Sequence, residues 1–225
     1  MMDMRLAALY SGGKDSTFAM YLAKQMGHDI PYIVNIVPED KASWIFHTPN
    51  LNIVPLMAES MNVKLILGKS TGTEEGDMEG LKNALLGLDI EGVVTGAVWS
   101  DYQWDRMNIV CGELGLKVIT PLWRKDQDII MDELLNSGIK AIIVGCYAEG
   151  LDESWLGRPI DASAAKDLRA LRERYGISVI GEGGEYESLT LDSPMHSHFL
   201  SIISSEKEWK NNNGTLHVKE AKLIR

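Results

Sequence analysis

Apolar positions along this chain follow two rhythms. Over 6–10 they run almost unbroken, as in a strand buried on both faces, and after Ser11-Gly12-Gly13-Lys14-Asp15-Ser16 they return at helical spacing through Phe18, Ala19, Tyr21, Leu22 and Met26 until Gly27 closes the pattern. The same order recurs downstream, with strands predicted over 30–37, 63–67, 92–98 and 117–120 and helices over 77–88 and 102–114. Strands that alternate with helices predict a parallel sheet, because a parallel neighbour is reached only through a crossover. Pro121-Leu122-Trp123 interrupts this rhythm and predicts a domain edge at Arg124, giving domains 1–124 and 125–225. The second half changes character. Helices are expected over 126–136 and 164–175, a strand over 141–144, a polar loop around Gly150 and a Gly- and Glu-rich stretch over 181–192. Two strands within 199–225 flank Asn211-Asn212-Asn213-Gly214, a hairpin signal. The expected fold is α/β, a parallel sheet followed by a smaller mixed α/β domain that ends in a β-hairpin.

Composition mainly excludes. With 22 Lys and Arg against 32 Asp and Glu, the 225 residues carry a formal charge of -10, which disfavours direct nucleic-acid binding because a protein held by phosphates needs a basic face. No apolar run approaches the roughly 20 residues that span a bilayer, and the Met1-Met2-Asp3-Met4-Arg5 start lacks a signal peptide's layout, so no membrane association and a cytoplasmic location are expected. Cys111 falls inside a predicted helix and Cys146 just after a strand, which suits packed thiols better than a disulfide or a zinc site.

The first strand-to-helix turn carries the chemistry. Gly12 and Gly13 let the backbone bend tightly, and the helix that follows aims its unpaired N–H groups and positive dipole end at whatever lies in the turn. Ser11 and Ser16 add hydroxyl donors, Lys14 adds charge, and Asp15 can cap the helix or hold Mg²⁺ through water. That combination suits a phosphate chain. It matches neither G-x-x-x-x-G-K-[ST] nor G-x-G-x-x-G. Ser11-Gly12-Gly13-Lys14-Asp15-Ser16 instead resembles the PP-loop of the ATP pyrophosphatases. The resemblance implies a HUP-type (Rossmann-like) sheet, ATP with Mg²⁺ as cofactors, and cleavage between the α and β phosphates to give AMP and pyrophosphate.

Four later stretches narrow the family: residues 46–50, 96–106, 150–158 and 181–189, the last reading Gly-Glu-Gly-Gly-Glu-Tyr-Glu-Ser-Leu. Together with 121–123 they resemble the diphthine-ammonia ligases. That resemblance implies adenylation of a carboxylate on a modified histidine of translation elongation factor 2, followed by displacement with ammonia to give diphthamide. Elongation factor 2 and ammonium would then be the partners, and a homodimer is possible. Two rivals stay open, a PP-loop ligase that modifies RNA and an ATP-binding sensor without turnover.

Candidate residues follow from both lines. Lys14, Asp15 and Arg106 are expected to act in catalysis, with Asp15 also the candidate Mg²⁺ ligand. Ser11, Gly12, Gly13, Ser16, Gly96 and Ser100 are expected to hold the nucleotide, since ligands bind beyond the carboxyl ends of strands in open α/β sheets. Tyr102 and Arg106 are four apart on one helix and so share a face; a solvated or salt-bridged arginine is the plainer reading of the latter. For the substrate side, the candidates are His47, Asn50, Tyr102, Gln103, Asp152, Trp155, Arg158, Glu182, Gly183, Gly184, Glu185 and Glu187. Glu182, Glu185 and Glu187 repel one another, and a cationic ligand would relieve that: the resemblance implies a trimethylammonium group on the substrate, held with Tyr186 or Trp155, and Mg²⁺ is the other reading.

Overall fold

A computed structural model describes residues 3–38 and 49–225. Five parallel strands, β1 (Arg5–Leu9), β2 (Asp29–Pro38), β3 (Lys64–Ser70), β4 (Gly92–Val94) and β5 (Lys117–Ile119), lie in the order β3-β2-β1-β4-β5. The alternation of side chains along each strand divides them between two faces. Ala8 and Ile33 join a core with helices α1 (Lys14–Gln25) and α2 (Val54–Met61), whereas Ala7 and Val34 join one with α3 (Glu74–Leu85) and α4 (Asp101–Glu113). Being covered on both faces explains the unbroken apolar run at the start of the chain. The chain moves outward from β1 to β3, then returns to place β4 on the other side of β1. This reversal opens a crevice at the carboxyl ends of β1 and β4.

Beyond β5 come α5 (Gln127–Asn136), β6 (Lys140–Cys146), α6 (Ala162–Tyr175), β7 (Tyr186–Asp192), β8 (Phe199–Lys210) and β9 (Asn213–Ile224). The four strands form an antiparallel sheet ordered β7-β6-β9-β8. Asn211 and Asn212 both adopt positive φ, the backbone a two-residue hairpin turn demands, and they join β8 to β9. The architecture is thus a Rossmann-like parallel sheet followed by a mixed α/β region that ends in a hairpin. Its core does not stop between the two parts: Phe18 of α1, Met57 of α2, Met131 of α5, Val144 of β6 and Leu168 of α6 belong to one continuous apolar cluster.

Three details depart from the sequence pattern. β4 stops at Val94 rather than 98, because the chain leaves the sheet there to reach α4. Thr73 caps α3 by accepting from Gly76 N, which starts that helix at Glu74 instead of 77. Two elements, α2 and β7, were not anticipated. Among the described residues no helix is long and apolar enough to cross a membrane.

Candidate functional site

The crevice between β1 and β4 opens into a cavity of about 480 Å³ whose walls include Ser11, Gly13, Lys14, Asp15 and Ser16 from the glycine turn, Gly96, Ser100 and Gln103 from the β4–α4 side, and Glu182, Gly183, Gly184 and Glu187 from the second sheet's approach. The fold therefore gathers residues more than 160 positions apart around the N-terminus of α1. Gly12 sits at φ 84, a conformation that would strain any other residue, and its carbonyl accepts from Thr190 N of β7 at 2.9 Å. Gly13 takes the N-cap position of α1 but supplies no side-chain cap, unlike Thr73, Ser100, Asp126 and Asp161 at the starts of α3 to α6. The positive end of α1 thus faces the cavity without a cap from its own N-cap residue. Asp15 lies in the first helical turn and does not cap the helix.

Strand β7 locks this turn from the far side. Ser188 Oγ accepts from Lys14 N at 3.1 Å, and the hydroxyls of Thr17 and Thr190 lie 3.0 Å apart. The Lys14 ammonium is almost fully buried; it donates to Asp15 Oδ2 at 2.7 Å and to the Ile180 carbonyl at 2.5 Å, and lies 4.9 Å from the centre of the Tyr186 ring. Burial works against its charge, but the Asp15 carboxylate, with further help from Tyr186 and Glu187, outweighs that and raises the lysine above its ordinary value. Gly96 meets the same turn from β4. A Cβ placed there would lie 2.7 Å from the Asp15 carbonyl carbon and 2.8 Å from Ser16 N, so only hydrogen at this position allows the contact.

The three carboxylates of the Gly-rich stretch have different fates. Glu182 Oε1 accepts from Trp99 N at 2.8 Å and Ser100 N at 3.1 Å, tying the second sheet's approach to the start of α4. Glu185 accepts from Ser178 N and Gly183 N, both at 2.8 Å. The repulsion anticipated from sequence is thus largely answered by backbone amides, those at the start of α4 for Glu182 and those of Ser178 and Gly183 for Glu185. Glu187 is different: burial pushes its carboxyl up to about 7, with Lys14 pulling it down and Asp15 adding to the rise, and no hydrogen bond holds it among the described residues. Burial likewise raises Glu182.

Other candidates lie outside the cavity walls. Arg106 and Tyr102 do share a face of α4, but that face turns toward α3: Arg106 pairs with Glu74 and stacks on the Tyr102 ring, and Tyr102 Oη reaches Glu74 Oε2 at 3.3 Å. The next face of the helix, with Gln103 and Met107, is the one that lines the cavity. Asn50 is buried and clamps β9, donating to Leu216 O at 2.9 Å and accepting from Val218 N at 2.7 Å. Asp152 caps a short 3-10 turn through Ser154 N, Trp155 packs into the core beneath the Arg158 guanidinium at 4.3 Å, and Arg158 pairs with Asp167 at 2.5 Å. With Tyr186 already beneath Lys14, both aromatic rings considered for a cation are covered by the protein's own charges. His47 lies outside the described residues. Among the described residues no cluster of three or more His, Cys, Asp or Glu side chains is arranged to hold a metal. Burial raises Cys111 to about 11 and, with Asp152 adding to it, Cys146 to about 12, which leaves both as inert thiols.

Two family models match, the diphthamide synthase N-terminal domain over residues 4–118 and the diphthamide synthase C-terminal domain over 126–224. The chain belongs to the diphthamide synthase family. Relatives named diphthine-ammonia ligase include the cow protein (Bos taurus), 37% identical over 90% of this chain and 84% of its own length, and the zebrafish protein (Danio rerio), 36% identical over 90% and 88%. The human relative of the same name is 36% identical over 90% of this chain and 84% of its own. Ser188 and Thr190, which dock the family's C-terminal half onto the glycine turn, were missed in the sequence; the alternation over 186–192 was the available signal.

Proposed function

We propose that this chain is an ATP-dependent ligase that converts the carboxylate of diphthine on translation elongation factor 2 to the amide of diphthamide, using ammonium and releasing AMP and pyrophosphate. Residues 1–124 bind the nucleotide, and 125–225 present the protein substrate to it. The observation that carries this reading is the cavity itself, in which the glycine turn at the N-terminus of α1, the Lys14–Asp15 pair and the carboxylate of Glu187 converge in a member of this family.

Amides of α1 and the hydroxyls of Ser11 and Ser16 bind the phosphate chain and hold it in line for attack. A substrate carboxylate oxygen attacks the α phosphorus, the bond to the β phosphate's bridging oxygen breaks, and pyrophosphate leaves. Ammonia then attacks the acyl carbon, a proton is lost, and AMP departs. Adenylation is needed because oxide is a poor leaving group, whereas AMP leaves with its charge held by fixed donors. Asp15, a carboxylate in the cavity wall, would hold a nucleotide-bound Mg²⁺, and the ion would neutralise the developing charge; such an ion requires only one or two protein carboxylates, which fits the donors present. Family membership favours this reading over an RNA-modifying ligase or a sensor.

The test is mass spectrometric. Diphthine-bearing elongation factor 2 is incubated with the protein, ATP, Mg²⁺ and ammonium, and the factor's mass and the nucleotide products are followed together. A carboxyl-to-amide mass change with stoichiometric AMP and pyrophosphate, abolished by Asp15→Ala, is expected. AMP without the mass change would point to another acceptor, and bound ATP without AMP would overturn the reading.

A further inference from the structure

Amidation releases a proton. Ammonia attacks the acyl-adenylate carbon with its lone pair, the nitrogen of the adduct becomes cationic, and that charge must be lost before the carbon collapses and the C–O bond to AMP breaks. Without a nearby base the adduct would expel ammonia instead. Three carboxylates line the cavity, Asp15, Glu182 and Glu187, with Glu185 in the adjoining turn outside those walls, and hydrogen bonding separates them. Glu182 is tied by two amides at the start of α4, and Glu185 by two amides of its own turn. Asp15 is paired with Lys14.

We propose that Glu187 is the catalytic residue that accepts this proton from the ammonia-derived nitrogen, an assignment that rests on the amidation reading above. It lines the nucleotide cavity and belongs to a strand fixed in place, paired with Gly145 of β6 on one side and followed directly by Ser188, which holds Lys14 N. The groups facing it are Lys14 and Asp15 from α1 and Tyr147 beyond the end of β6. No hydrogen bond occupies its oxygens among the described residues, so they are available to the adduct. Proton balance is then complete: the nitrogen proton passes to a Glu187 oxygen, AMP leaves as the anion, and Glu187 returns the proton to solvent with the products.

The experiment separates the two half-reactions in the isosteric Glu187→Gln variant. ATP–pyrophosphate exchange dependent on the diphthine-bearing protein reports adenylation, and amide formation with ammonium reports the second step. The expected result is exchange within a few-fold of wild type with ammonium-dependent amide formation slowed about 100-fold or more, the usual contribution of a positioned base. Hydroxylamine, a nucleophile already unprotonated at neutral pH whose adduct gives up its proton more readily, should recover much of the rate. At a fixed concentration of free ammonia, wild-type amidation should fall on acidification and the residual rate of Glu187→Gln should not. Loss of exchange together with amidation would place Glu187 in adenylation and overturn the assignment, as would unchanged amide formation. Failure of the wild type to form amide would reject the underlying reading instead.

Discussion

Replacing Gly96 by alanine tests whether the β4 end sets the position of the glycine turn. The added Cβ would sit 2.7 Å from the Asp15 carbonyl carbon and 2.8 Å from Asp15 O and Ser16 N, about 0.7 Å inside ordinary contact at 3.4 Å. All three atoms are backbone, so no rotamer change relieves the overlap. The first turn of α1 must move away from β4 by several tenths of an ångström, yet Ser188, Thr190 and Ile180 hold it from the other side. Overpacking of this kind costs roughly 1–3 kcal/mol. A displacement approaching 1 Å in groups that position a reacting phosphate costs on the order of 100-fold in rate. Gly112→Ala in α4 is the control, since a Cβ there meets nothing within 4 Å; the helical position should gain roughly 0.5–1 kcal/mol. The two variants would be compared by urea denaturation and by ATP–pyrophosphate exchange. Gly96→Ala with wild-type exchange, or with stability equal to Gly112→Ala, would refute the idea that this contact holds the turn.

Four further expectations can be checked directly. Glu182→Ala removes the acceptor for Trp99 N and Ser100 N, and should lower unfolding free energy by about 1–3 kcal/mol and shift the fluorescence of the exposed Trp99. Asn50→Ala cuts both bonds to β9 and should destabilise by a similar amount, read by urea titration. Cys111 and Cys146 should resist a thiol reagent at pH 8 in the native state and react promptly in denaturant, because burial holds both thiols far above that pH. The raised carboxyl of Glu187 means that between the usual 4.5 and about 7 the native state keeps a proton the unfolded chain has lost, so wild-type stability should fall as pH rises through that window while Glu187→Gln loses this dependence. Parallel pH dependence in the two proteins would contradict it.

Sequence pattern revealed the first sheet well because its central strands are buried on both faces and its helices have a clear apolar side. Strand β7 escaped notice for a physical reason. Ser188 and Thr190 point inward yet carry hydroxyls, since they dock on the backbone and side chains of the glycine turn rather than in oil, so the apolar alternation is blurred. Helix α2 was readable in the spacing of Val54, Met57, Ala58 and Met61, all buried, but it lacks a side-chain cap to mark its start. Sequence collected the stretch over 181–187, much of which lines the cavity, but treated its carboxylates alike. Which glutamates meet backbone amides depends on the fold of a glycine-rich turn, and no spacing rule supplies that. The same limit applies to α4, where shared phase puts Tyr102 and Arg106 together without saying that Glu74 is what they face.

The apolar cluster that runs from the first sheet through α1 and α2 into α5, β6 and α6 makes the two family segments a single folding unit. A fragment ending near residue 124 would leave the outer sides of α1 and α2 in water, and would be expected to aggregate rather than bind nucleotide. Mechanical coupling follows as well. A cavity opened in this shared interior, at Met131 or Leu168 for instance, is expected to loosen the packing behind the glycine turn without touching a ligand. Substitutions that look remote on a domain diagram can therefore impair nucleotide handling, and variants in the hairpin half should be scored for ATP chemistry as well as for protein recognition.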